Sequence, residues 1–444
     1  MNILKLLSSL CNGVGRKIAG MSGLLLLLAG PGRGQGVGLP DQSPGPVSPS
    51  ALGPRAPAYE VMNALLGLPL LADDNLWGDT PAEVAARLKL PAEGMTDHFA
   101  SYRAYPRQPV AVLGVRSYML SLKAAEGRLT AFSVMFTNRG DFPAFAKLVA
   151  PAEPDPGQIN AFEDAMRSDF QTLSARITAR FGPSHRASLS GGTLASGPAA
   201  LRWSAAGCVL LLSQVPLQMV TLKIVPDESA KETRLSTAQL RLKLKSLVTR
   251  RPNGDVILDQ VPMVNQGPKG YCVPATFERC LRYFDIPADM YELAAVGGTD
   301  YGGGTNPVAM AAGLDLYVHQ HGRVLERADA EVSITGLARY LDEGRPVIWT
   351  LDYTKTFNTL VNTHTKARAA TTDWTKWRQT VLTAAKTPLE HDKLSGHACL
   401  IIGYNRATNE IALTDSWGPG YAECWVPVTA AMKVSRDQFW VVSW

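Results

Sequence analysis

Four side chains in this 444-residue sequence have the types and spacing that nucleophilic chemistry requires: Gln266, Cys272, His397 and Asp415. Gln266 stands six residues ahead of Cys272 in VPMVNQGPKGYCVPATFERCLRYF, Val261–Phe284. A thiolate attacks carbonyl carbon readily, but it needs a base beside it and hydrogen-bond donors for the oxyanion that forms. After Cys272, the residues Val273, Phe277, Cys280, Leu281 and Phe284 recur on one helical face, and Pro274 suits a first turn. Thr276, Glu278, Arg279 and Arg282 take the other side. Cys272 is thus predicted at a helix N-terminus, where unpaired amides and the positive dipole end favour a thiolate. The bland alternative is a small core hydrophobe, the commoner fate of cysteine. Gln266 offers a side-chain amide for an oxyanion, and Gly267, Pro268 and Gly270 permit the tight path that would bring it back to the sulfur.

The base and its orienting group lie far downstream in SGHACLIIGYNRATNEIALTDSWGPG. His397–Tyr404 and Glu410–Trp417 are β-rich runs, and Asn405–Asn409 between them reads as a hairpin turn. If Tyr404 faces Glu410, Cys399 faces Asp415 and His397 lies diagonal to Asp415 on the same face, within reach of it. A slip of one residue would put the two on opposite faces. Trp417 could shield the His–Asp bond from water, or serve only as an aromatic plug of the core. Gly396 leaves room for a substrate backbone or marks a strand entry.

The other histidines carry less. His98 and His185 are isolated, His391 sits in a polar run, and His364 lies in a threonine-rich stretch. His319 and His321 could share a strand face as metal ligands, but no third ligand stands nearby. VGGTDYGGGTN, Val296–Asn306, lacks the Gly-Lys-Ser/Thr ending of a phosphate loop and reads as a loop bordering a cleft. No metal and no cofactor are expected.

The elements that must position these residues fall in two α+β halves. Hydrophobic residues make up 46% and charged residues 19%, enough apolar side chain for folded cores. The net charge of +5, without a dense basic block, argues against a nucleic-acid partner. Residues 1–30, with Lys5, Arg16, Lys17 and the apolar MSGLLLLLAG, read as an export signal. A membrane tether through this segment is the one membrane association the sequence allows. Residues 31–58 are rich in Pro, Gly and Ser and read as a disordered spacer.

Residues 59–235 form a predicted accessory domain. It has a capped helix at Thr80-Pro81-Glu83, a hairpin around Glu126-Gly127, a long helix stopped by Gly182-Pro183, and two or three strands over Ala200–Pro226. It holds no convergent reactive set, so binding or regulation suits it better than chemistry. Residues 236–254 read as a helical linker ending in the exposed turn TRRPNGD, and 255–444 as the domain with the reactive set. Removal of Cys11 with the signal would leave Cys208, Cys272, Cys280, Cys399 and Cys424, an odd number and so at least one thiol unpaired or paired between chains. Nothing fixes the oligomeric state.

The order glutamine, cysteine six later, then histidine and an Asx residue in adjacent strands resembles the papain-like cysteine peptidase superfamily. QGPKGYC resembles its glutamine-to-cysteine loop, GHACLIIGY its histidine strand, and TDSWG its Asn-Ser-Trp-Gly strand with aspartate for asparagine. The aspartate, the export signal, Pro274 and the strand EGRPVIWTLDY are similar to the bacteriocin-leader (double-glycine) peptidase group. The resemblance covers residues 255–444 and implies a papain-like fold, a nucleophile helix packed on an antiparallel sheet. It implies Cys272 as nucleophile, His397 as general base and acid, Asp415 as its orienter and Gln266 as oxyanion donor. Val273 departs from the tryptophan or glycine found after the family's cysteine. The expectation is an exported, free-standing cysteine peptidase, periplasmic or extracellular, acting on peptide or protein substrates. An acyltransferase or transpeptidase on the same fold and a catalytically silent binding protein are the alternatives. The accessory half could also act as an inhibitory pro-region, as in papain-like zymogens.

Overall fold

Alternating apolar residues and tight turns build the first sheet, as the hairpin at Glu126-Gly127 illustrates. Both turn residues have positive φ, 49° and 72°, the pairing that suits a two-residue hairpin. The computed structural model describes residues 57–143, 145, 154–188, 199–205, 207–227, 235–267, 270–299, 304–384 and 393–444. The expected signal, the spacer up to residue 56, His391 and residues 300–303 of the glycine-rich loop lie outside the described residues.

The first sheet contains β1 (Ala92–Met95), β2 (Phe99–Ala104), β5 (Met119–Ala125), β6 (Arg128–Asn138), β7 (His185–Ser188), β8 (Ala199–Ala205), β9 (Cys208–Val215) and β10 (Met219–Pro226). Their order is β1-β2-β5-β6-β10-β9-β8-β7, and every pairing is antiparallel. A separate ribbon joins β3 (Val110–Val112) to β4 (Val115–Ser117). Three helices belong to this half: α1 (Ala58–Leu66), α2 (Pro81–Arg87) and α3 (Pro156–Phe181). The predicted capping box is present at Thr80 and Glu83, and Gly182 ends α3. On α3 the residues Phe162, Met166, Leu173 and Ile177 are buried in one stripe against Leu120, Leu122, Phe132, Leu212 and Leu222 of the sheet. Val220, Leu222 and Ile224 are fully buried, as their alternation predicts.

The second half continues with α4 (Thr237–Ser246), β11 (Val248–Arg250), β12 (Asp255–Leu258), α5 (Cys272–Tyr283), α6 (Met290–Val296), α7 (Pro307–Gln320), β13 (Val324–Arg327), α8 (Ile334–Leu341) and β14 (Val347–Thr354). It ends with α9 (Lys355–Ala369), α10 (Trp374–Ala384), β15 (Lys393–Asn405), β16 (Glu410–Thr414), β17 (Cys424–Pro427), α11 (Val428–Val434) and β18 (Ser435–Ser443). The strand order is β11-β12-β15-β14-β18-β13, with β16 paired to β15 and β17 to β16. The architecture is α+β, helices around antiparallel sheets. The stretch 236–254, expected as a helical linker, carries a helix, α4, and adds the strand β11. Leu240 and Leu244 of α4 are fully buried in the core of this half, and TRRPNGD closes the hairpin between β11 and β12.

The nucleophile helix α5 is buried along its whole length. Its apolar face enters the second core through Val273, Phe277, Cys280, Leu281 and Phe284. The opposite side meets the first sheet, where Tyr271 and Ala275 join Met119, Met135 and Met219. The polar side chains on that side are therefore buried, and they have buried partners. Glu278 meets Lys123 at 3.3 Å and Arg103 at 3.8 Å, both from the first sheet, and Lys123 also reaches Asp289 at 2.9 Å. Burying a charge is tolerable only when it is paired in this way.

A second polar cluster is buried under α9. His364 and Arg368, one turn apart, point the same way: His364 Nε2 lies 2.5 Å from Glu410, and Arg368 bridges Glu410 at 3.1 Å and both oxygens of Asp255. Trp377 Nε1 donates to Glu410 at 3.2 Å and Asn405 Nδ2 to Asp255 at 2.7 Å. His364, read from its threonine-rich surroundings as unremarkable, is thus a buried partner of a carboxylate.

Candidate active site

Three segments deliver the reactive set. Cys272 is the first residue of α5, which begins after Tyr271 without any side-chain cap. The early amide N–H groups of a helix have no intrahelical acceptor. Those of Cys272 and Val273 therefore remain for another acceptor, and Pro274 has none to offer. His397 lies on β15 opposite Leu351 of β14. Asp415 follows the last residue of β16.

The hairpin between β15 and β16 reaches its working register by an indirect route. Asn405 pairs with Glu410, Tyr404 with Ile411 and Gly403 with Ala412, one residue out of step with the alignment expected from sequence. A bulge between Ile401 and Gly403 then absorbs one residue, so that Ile401 pairs with Leu413 and Leu400 with Thr414. Gly403 is required there, since a Cβ would lie 2.5 Å from the Val256 carbonyl oxygen. Below the bulge the register is the expected one, and His397 and Asp415 share a face.

His397 Nε2 lies 2.8 Å from Asp415 Oδ2. The other oxygen, Oδ1, accepts the Ser416 N–H at 2.7 Å, and the Asp415 N–H donates to the Tyr421 carbonyl at 3.0 Å. The carboxylate is fixed from two sides. The Cys272 thiol lies against the same imidazole, and Nδ1 is the ring nitrogen that Asp415 leaves open to it. Burial of the ring disfavours its charged form, but the Asp415 carboxylate, with its hydrogen bond, and the Cys272 sulfur outweigh burial and hold His397 up at about 10. The ring is a cation at neutral pH. An adjacent cation is the setting that activates a cysteine.

Trp417 stacks on the imidazole with centroids 4.9 Å apart and planes 27° apart, and Tyr353 packs against the ring at 5.1 Å. Tyr421 meets Trp417 edge-on at 5.3 Å. These rings exclude water from the His–Asp pair and leave the imidazole one orientation. Gln266 is placed by its backbone N–H, which donates to the Ser416 carbonyl at 2.8 Å. Its loop thus lies against the residue that follows Asp415.

Arg279 was missed as a member of the site. It lies two turns after Cys272, on the cysteine's own side of the helix, and that spacing is the signal that could have found it. Fully buried, it donates to the Pro262 carbonyl at 2.8 Å, the Thr414 carbonyl at 3.2 Å, Ser416 Oγ at 3.4 Å and Thr414 Oγ1. Burial pulls its guanidinium down to about 10, against the opposing pull of Asp415. One side chain therefore ties the nucleophile helix, the glutamine loop and the aspartate strand together.

Cys208, Cys280, Cys399 and Cys424 are free thiols pushed up by burial, the first to about 11 and both Cys280 and Cys424 to about 12. At pH 7 a small alkylating agent is expected to modify Cys272 at least about 10-fold faster than any of them, as peptide mapping would record. Equal labelling of Cys272 and Cys280 would contradict an activated thiol. His319 and His321, weighed as a pair on one strand face, lie on no strand. They sit at the end of α7 and just beyond it, each bonded to a carbonyl one turn back, and no metal-binding group occurs among the described residues. His98 is an exposed partner of Glu126. No described helix is long and apolar enough to cross a membrane.

Residues 258–440 match the model of the Peptidase_C39 like family. This segment is thus similar to a cysteine-type peptidase domain. The match covers less than half of the 444 residues and leaves out the whole first sheet. The chain is similar to the crystal structure of xylellain, a cysteine protease from Xylella fastidiosa, at 12% identity and a TM-score of 0.26, over 49% of this chain and 94% of that one. No curated protein matches the chain in sequence.

Proposed function

We propose that the chain is an exported peptidase that hydrolyses peptide bonds through a thioester, with Cys272 as nucleophile, His397 as acid and base, Asp415 as its orienter and Gln266 as oxyanion donor. One observation carries the reading: a single imidazole is held between the Cys272 thiol and the Asp415 carboxylate. The Cys272 thiolate attacks the scissile carbonyl carbon, and the oxyanion is met by the Cys272 N–H and the Gln266 amide. Collapse breaks the C–N bond as His397 gives its proton to the leaving amine. His397 then takes a proton from water, whose oxygen attacks the thioester and releases the acid and the thiolate. Export rests on the character of residues 1–30.

The deciding experiment is reaction with an electrophilic peptide probe followed by mass-spectrometric mapping, together with product analysis of a cleaved peptide. The adduct is expected on Cys272 and the product is expected to be the free acid. An adduct elsewhere overturns the reading, and capture of an added amine in preference to water would make the enzyme an acyltransferase.

The pH profile carries a signed expectation. An imidazole held at about 10 in the folded protein and near 6.5 in the unfolded chain adds stability that is complete below about pH 6.5. That stability disappears as pH climbs to 10. Activity should fall on the same alkaline limb, because a neutral ring has no proton for the leaving amine. Asp415→Asn should move that limb towards about pH 6.5. A limb that stays put would remove Asp415 from its assigned role.

A further inference from the structure

Three polar groups of the residue before the glutamine are engaged. The Asn265 N–H donates to Glu93 Oε1 at 2.8 Å, its carbonyl accepts from the Tyr105 hydroxyl at 2.8 Å, and its side-chain oxygen accepts the Gly267 N–H at 2.9 Å. Two of these partners come from the first sheet. Glu93 is on β1 and Tyr105 directly follows β2, more than 150 residues earlier in the chain. Glu93 is itself held at 2.7 Å by Arg103 of β2, and both side chains are almost wholly buried.

Shape reinforces the hydrogen bonds. Gly267 has φ of +72°, and a Cβ there would fall 2.8 Å from the Tyr105 ring. Gly94 of β1 brings backbone against backbone, with room for no Cβ beside the Met263 carbonyl, 2.4 Å away. At the far end of the same loop, Tyr271 meets Asn138 at 3.4 Å and presses on Gly140. The first sheet thus grips the loop on both sides of Gln266, while the second sheet holds it through Ser416.

We propose that Glu93 and Tyr105 are positioning residues for the oxyanion site, acting on Gln266 through Asn265, so that the first sheet is an intramolecular clamp on the peptidase. The proposal rests on the reading of Gln266 as oxyanion donor. It assigns residues 59–235 a catalytic-support role in place of the inhibitory one. Displacing a donor by a fraction of an ångström weakens an oxyanion site while leaving the thiol untouched.

The test uses the full chain carrying Tyr105→Phe, which keeps the ring and removes only the hydroxyl, with Glu93→Gln as second variant. Three readouts separate positioning from damage. Hydrolysis of a fluorogenic peptide should fall about 10-fold in kcat with KM within about two-fold. Affinity for a peptide aldehyde, whose thiohemiacetal oxygen occupies the oxyanion site, should fall by the same factor. Alkylation of Cys272 by iodoacetamide, which forms no oxyanion, should stay within about two-fold.

In a Gln266→Ala background, Tyr105→Phe should have no further effect on kcat, since both act on one group. Unchanged kcat in both variants overturns the proposal. So do parallel losses of alkylation rate and Tm, or full additivity with Gln266→Ala. A wild-type protein that is alkylated at Cys272 but binds no aldehyde overturns the oxyanion reading first, and the clamp with it.

Discussion

Cys272→Ala is expected to lower kcat for peptide hydrolysis at least about 10⁴-fold while the protein stays folded. The size follows from chemistry. In the proposed mechanism the sulfur forms and breaks the covalent bond in both half-reactions. Cys399, also buried beside the site, is held well above the usual thiol range, chiefly by burial. Stability should change little, because alanine fills most of the space of a cysteine that is 7% exposed and packs at the edge of the core. Steady-state kinetics with active-site titration measures the first effect and thermal unfolding the second. Residual activity within about 100-fold of wild type would show that another nucleophile does the work. His397→Ala should cost as much as Cys272→Ala, and the double substitution little more, because the two act as a unit.

The largest stability effect is expected at Arg368. Arg368→Ala leaves the Asp255 and Glu410 carboxylates, 1% and 0% exposed, without their shared cation. His364, Trp377 and Asn405 would remain as hydrogen-bond donors. Breaking a buried ion cluster from one side costs roughly 3–5 kcal/mol. The guanidinium also lies 3.7 Å over the Trp425 ring, so packing is lost with the charge. Differential scanning calorimetry should show a Tm lower by roughly 10 °C. A loss under about 1 kcal/mol would mean that water reaches the carboxylates.

A pH dependence accompanies this cluster. Burial works to raise Glu410, but the His364 hydrogen bond and Arg368 together hold it below the usual carboxylate range. Its contribution is therefore present above about pH 4.3 and is lost as pH falls through the lowered value.

Much of the candidate site was legible because its signals are local. The stripe Val273, Phe277, Cys280, Leu281 and Phe284 fixes one face of α5, and the β-rich runs around NRATN fix a hairpin. What periodicity cannot say is how many faces of a helix are covered. The charges of Glu278, Arg279 and Arg282 mark the side away from the apolar stripe, and the first sheet and the strand ends bury that side too.

Alternation also hides a bulge, since one extra residue leaves no mark in composition. The expected alignment fails at the turn and holds at His397 because Ile402 absorbs the difference. His364 and Glu410 are 46 residues apart and owe their meeting to α9 crossing β16–β17, a tertiary fact without a local sign. The spacing of two between His319 and His321 would fit a strand face, whereas the run Pro307–Gln320 is helical behind its Asn306 cap.

The helix that carries the sulfur is enclosed along its length, and Cys272 itself is only 7% exposed. The sulfur is therefore recessed beneath the surface. A globular protein offers its backbone at a convex surface, which cannot enter so recessed a point. The polypeptides that can be cut are those already extended, or those that fray locally far enough to thread a few residues inward. Selection by conformation is thus built into the packing, ahead of any preference for sequence.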